Sequence, residues 1–229
     1  MVDKVDVYDA LAALIPGTIL VCLVPVLYPA ITKCAFSLAL PDGFAVVALV
    51  AVAVLTGHIV QAFSSWSEAV LWLTWGGRPS DVTLAGRAGA RYFPKESADR
   101  IRAKLAAQLG GSTSERSLFL YASQIALAAG NPRVERFNAL YGYHRGLFTL
   151  SLIAVVMFGA STRWGAAAAC APSARWCLLA ALAVLAALFW YRTKQRGYYH
   201  AREVLGTAER VLDGTTASAV PVPTLEGGR

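Results

Sequence analysis

Charge is what this chain has least of. Lysine, arginine, aspartate and glutamate together make up 15% of its 229 residues, where an ordinary soluble domain carries roughly 25%. Four stretches, residues 10–31, 43–63, 146–162 and 176–191, contain none of the four. Catalytic signatures are missing too. "GRAGARY" lacks the Lys and Ser/Thr with which a P-loop holds phosphate and Mg²⁺. There is no GxSxG, HExxH or CxxC, which removes the nucleophile elbow, the helical zinc site and the paired-cysteine motifs. With 3 His and 4 Cys and no ligand spacing among them, neither a metal nor another cofactor is expected. Apolar stretches without Asp, Glu, Lys or Arg also argue against an ion-coupled transporter, which places charged groups near the bilayer midplane.

What is present is apolar. Hydrophobic residues account for 56% of the chain and mean hydropathy is +0.50. A bilayer core needs about 20 helical residues, with about 17 as the lower end. The first two stretches meet this, and the last two reach it with flanking Trp, Tyr and Arg that snorkel. The expected fold is therefore all-α: a polytopic integral membrane protein with four transmembrane helices and a small cytoplasmic helical domain. Residues 1–63 form an N-terminal transmembrane hairpin and 64–145 a cytoplasmic helical insertion. Residues 146–191 form a C-terminal hairpin, 192–213 a helical extension and 214–229 a Pro/Gly-rich, disordered tail.

The first span carries Pro16, Gly17 and Pro25. In hydrocarbon no water competes for the freed carbonyls, so Pro and Gly kink a helix without melting it. Pro16 and Gly17 are a candidate hinge, or else mark a close helix contact. "MVDKVDVYDA" has three Asp and one Lys, unlike the basic start of a signal peptide, so an uncleaved helix is expected, with Asp6 or Asp9 at its N-terminus.

Four spans put both termini on one side. That side then holds Lys4, the eleven basic residues from Arg78 to Arg145 and the six from Arg192 onward, while Lys33, Arg163 and Arg175 face the other. The positive-inside rule makes the richer side cytoplasmic; the expected location is a bacterial inner membrane. This accounts for the net charge of +7 without nucleic acid, which is not an expected partner. Cys34 and Cys170 fall in the two outer loops and are a candidate disulfide; free thiols fit the spacing equally.

Within the insertion, 64–77 either continues the second span or lies at the interface, and 78–93 reads as a loop. The next segment is a helix with Ile101, Leu105 and Leu109 on one face. Residues 115–130 are too apolar to lie exposed and should be the core helix of the bundle. Asn131 and Pro132 start a helix that runs into the third span, and 192–213 prolongs the fourth. Ala201, Val204, Ala208 and Val211 form one stripe on it. They are candidate oligomer contacts, with this chain's own middle helices as the other partner surface. His58, Gln61, His144 and Arg145 are the candidate functional polar cluster, the alternative being ordinary hydrogen bonding between helices. Ala53/Gly57 and Ala183/Ala187 are small-xxx-small pairs that permit close helix contact. Arg196 and His200 fall one residue short of the R-x-x-x-x-H of HEPN-type ribonucleases, and no nuclease activity is carried over.

"YDALAALIPG", "GHIVQAF", "RFNALYGYHRGL" and "YYHAREV" together resemble a loosely defined group of uncharacterised bacterial membrane proteins with four spans and a helical cytoplasmic insertion. The resemblance covers most of the chain up to about Asp213. It implies architecture and no assigned activity; by analogy of shape such proteins act as membrane effectors in antiphage defence. Three functions follow as expectations. The first is a non-enzymatic, homo-oligomeric effector that perturbs or permeabilises the lipid bilayer when its cytoplasmic part engages a protein partner or small ligand. The second is an anchor that recruits a cytosolic enzyme without a pore. The third, and least favoured, is a membrane-embedded enzyme using His58, His144 or His200.

Overall fold

In the computed structural model, residues 5–30, 42–111 and 114–218 are described, with backbone alone for 5–11, 42 and 215–218. The described residues form helices and turns, with no strand. In chain order the helices are α1 (Val5–Leu27), α2 (Asp42–Trp75), α3 (Pro79–Leu84), α4 (Lys95–Gln108), α5 (Glu115–Ala128), α6 (Pro132–Trp164) and α7 (Pro172–Ser218), with a 3₁₀ turn at Ala166–Ala169. The all-α expectation holds. Segments of α2, α6 and α7 are long and apolar enough to cross a membrane, and α1 holds a shorter apolar helix, Ala12–Leu27. Several boundaries move. Residues 64–75 continue α2 without a break, the expected loop 78–93 contains α3, and α7 runs past residue 214 to Ser218.

The chain divides into two compact units: Met1–Trp75 with Asn138–Arg196, and Gly76–Phe137 with Gly197–Arg229. The first unit is apolar outside. Phe44, Leu55, Trp66 and Leu73 on α2, Val156 on α6 and Trp176 and Leu188 on α7 all stand exposed. Only 6% of the most apolar window of α7 and 17% of that of α2 is buried, against 44% for α6. So α6 is the central helix, and the others turn apolar faces outward. Several hydroxyls in this unit bond back to their own helices. Thr18 donates to Leu14 O (2.8 Å), Ser151 to Leu147 O (2.8 Å) and Thr193 to Phe189 O (2.7 Å). Such bonds satisfy a polar side chain without water.

The second unit has an ordinary core. Leu84, Phe93, Ile101, Leu105, Leu118, Ala122 and Ala126 pack with Val134 from the start of α6 and with Val204, Leu205 and Ala208 from the end of α7. Ile101 and Leu105 face inward as their spacing requires, and α5, expected as a core helix, buries Leu118, Ala122 and Ala126. Arg133 N donates to Asn131 Oδ1 (3.0 Å), the predicted N-cap, and Asn131 Nδ2 donates to Thr207 Oγ1 (2.7 Å). On the rim, Arg100 pairs with Glu209 (2.6 Å), Arg102 with Glu115 (3.0 Å) and Lys104 with Asp213.

Candidate functional site

The first unit contains an open cleft of about 380 Å³ lined by α1, α2 and α6. Its walls form because α1 and α2 approach backbone to backbone. A Cβ added at Gly17 would come within 1.8 Å of Ala53 O, and one at Gly57 within 1.8 Å of Ala13 O. The Ala53/Gly57 pair thus has its partner in Ala13 and Gly17, and the two helices run antiparallel.

Pro16 explains the next contact. Proline has no N–H, so Ala12 O, four residues earlier, loses its helical donor. Gln61 Nε2 donates to this carbonyl at 2.9 Å. Pro16 is itself fully buried, and α1 stays helical through it. The candidate hinge Pro16–Gly17 is therefore a packed, hydrogen-bonded contact. Gly146 on α6 leaves room for the same amide: a Cβ there would lie 2.8 Å from Gln61 Nε2.

Two turns further along α2, Glu68 meets α6. Arg145 Nη1 lies 3.0 Å from Glu68 Oε1, and Tyr141 OH donates to the same oxygen at 2.6 Å. Arg145 Nε donates to Ser64 Oγ (3.2 Å) and Nη2 to Ser65 Oγ (3.1 Å). The guanidinium also lies 5.6 Å from the centre of the Tyr141 ring. The pair is largely enclosed, with side chains 15% and 22% exposed. A carboxylate, a guanidinium, a phenol and two hydroxyls satisfy one another here, which locks α2 to α6.

Of the four predicted cluster residues, three line this cleft: His58, Gln61 and Arg145. His144 does not; its Nδ1 lies 2.7 Å from Leu140 O on its own helix. Sequence reading missed Glu68, Tyr141 and Ser64. One signal was available, since Glu68 is the single charged residue in the Trp-rich stretch 64–77. The candidate oligomer contacts need correction. Ala201, Val204 and Ala208 are buried in the chain's own second unit, and only Val211 stands partly open. Of the candidate disulfide, Cys34 lies outside the described residues, and Cys170 is exposed. Among the described residues, no group of His, Cys, Asp and Glu is placed to hold a metal ion.

The fold and site define an all-helical protein with the proportions of a membrane protein. Comparison with protein-family models, curated proteins and solved structures finds no match for this chain.

Proposed function

We propose that this chain is a four-span bacterial inner-membrane protein with both termini and the second unit cytoplasmic. It acts without catalysis, as a homo-oligomeric effector that perturbs or permeabilises the bilayer when the second unit engages a protein partner or small ligand. Two contacts support counting α1 as a span. Its Ala12 and Ala13 line the cleft beside Gly142 and Arg145. Its far end meets the turn beyond α6: a Cβ at Gly165 would lie 2.4 Å from Leu27 O, and Tyr28 OH donates to Met157 O at 2.7 Å. So α1 runs alongside the apolar length of α6, and what α6 crosses, α1 crosses.

The observation that carries the effector reading is the Glu68–Arg145 lock. It joins helices whose outer faces are apolar and whose polar groups turn inward, and α6 and α7 each continue into the second unit. Engagement of that unit would act through these helices and release the lock. Dye release from liposomes tests this. Glu68→Gln, which unlocks the pair, should raise leakage over the wild-type protein, while the same variant with no leakage at any protein density would overturn the effector reading.

One finding favours the second reading, an anchor that recruits a cytosolic enzyme. Burial of Ala201, Val204 and Ala208 within the chain removes the surface that was to hold copies together. A monomer in nanodiscs by native mass spectrometry, together with leak-tight liposomes, would put the anchor ahead.

A further inference from the structure

The exposed apolar stripe of α2 does not stop where its most hydrophobic segment does. Phe44, Leu55, Ile59, Trp66, Val70 and Leu73 share one helical face and are 55% to 82% exposed. At about 1.5 Å per residue this face is about 44 Å long. The hydrocarbon core is only about 30 Å thick, and the bilayer with its headgroup regions about 40–45 Å. A second marker fixes the level of the stripe's end. On α7 the apolar segment closes with Trp190 and Tyr191, followed by Arg192, which is where an interfacial aromatic belt is expected. Trp190 Nε1 donates to Thr74 Oγ1 at 2.9 Å. The belt of α7 therefore meets α2 at Thr74, about eleven residues beyond residue 63, where the span read from the sequence ends.

We propose that α2 contacts phospholipid along this whole face, from Phe44 to Leu73, with its last turns a lipid-binding surface at the interface. The inference rests on the membrane reading above. Its consequence concerns the site. Glu68 lies between Trp66 and Val70 along the helix and points to the opposite side, toward Arg145. The ion pair then sits at bilayer depth, shielded by the stripe. An ionisable pair at that depth is costly unless mutually satisfied, and here Tyr141, Ser64 and Ser65 complete the satisfaction. Continuity with the lipid-facing part of the same stripe favours lipid over a second copy of the chain.

Single cysteines at Val70, Leu73 and, as reference, Leu55, in a background with Cys22, Cys34, Cys170 and Cys177 replaced by Ala, would carry spin labels in nanodiscs. The expected result is that all three labels relax with oxygen and lose relaxation by a water-soluble nickel chelate. Nickel relaxation at Val70 and Leu73 with none at Leu55 would overturn the inference and leave the membrane reading standing. Nickel relaxation at Leu55 would remove the membrane reading itself. Dipolar broadening at Leu73 that appears in fully labelled samples and disappears when labelled chains are diluted with unlabelled ones would identify a second copy as the occupant and overturn lipid.

Discussion

Among single residues, Pro16 and Gln61 form the most testable pair. Proline removes the donor that Ala12 O would have, and the amide of Gln61 supplies another from the neighbouring helix. Gln61→Leu should leave a carbonyl unsatisfied in apolar surroundings and lower stability by about 1–3 kcal/mol. Pro16→Ala restores an N–H to the same carbonyl. In that background Gln61→Leu should cost much less, and a denaturation cycle in detergent measures the coupling; strictly additive effects would refute the pairing. Gly57→Ala makes a second case. Its new Cβ would meet backbone, which cannot swing aside, so the α1–α2 contact must open at a cost of about 1–3 kcal/mol or more. Gly159→Ala on α6, where a Cβ meets nothing within 4 Å, is the control for thermal unfolding. The sequence made the small residues at 17, 53 and 57 readable, because only their spacing mattered. It could not show that Ala12 O would be the acceptor, because that depends on the register with which two helices pack, and the paired residues are 49 apart in sequence.

Helices of the second unit illustrate the same division. Periodicity located the buried face of α4, apolar composition marked α5 as the core helix, and capping located the start of α6, since these signals are local. The stripe Ala201–Val204–Ala208 was equally visible, but what covers it is a question of tertiary packing. The answer is the core with Ile101, Leu105, Leu118 and Ala122. Val204 is fully buried, so Val204→Asp should destabilise this unit by about 3 kcal/mol or more, by burying an unpaired carboxylate. Hydrogen exchange should report lost protection in α4 and α5, with the apolar segments of α2 and α6 unchanged. Loss of assembly with protection intact would instead restore Val204 as an interface residue. His200, nine residues past the apolar segment 176–191, gives this unit a pH dependence. Burial lowers its pKa from the ordinary value of 6.5, against the opposing hydrogen bond to the Val134 backbone. The unfolded chain then binds the proton first as pH falls, so stability is full above about pH 6.5 and declines below it. Exchange protection of α4 and α5 should drop between pH 7.5 and 5.5, and His200→Gln should flatten that drop.

At the scale of the whole chain, the number of crossings is decided by α1. The stretch 10–31 is apolar enough to span, but the described apolar part of α1, Ala12–Leu27, is shorter than a full span by itself. Packing argues the other way, since its two ends meet the two ends of the apolar part of α6. The two counts differ at one measurable place. With α1 crossing, the N-terminus lies on the same side as Gly111; with α1 held on one side of the bilayer, the two lie on opposite sides. Ala168, beyond α6, faces away from Gly111 under either count and serves as the internal standard. Charge favours the four-span arrangement, because Lys4 then joins the eleven basic residues between Arg78 and Arg145, the bias expected of cytoplasmic segments. Reporter insertions at the N-terminus and Gly111 should both read cytoplasmic and one at Ala168 should read periplasmic. A periplasmic N-terminus with the other two unchanged would establish three crossings and free α1 to leave the membrane. A periplasmic reading at Gly111 would reverse the orientation of the entire chain, and with it the side on which the second unit meets its partner.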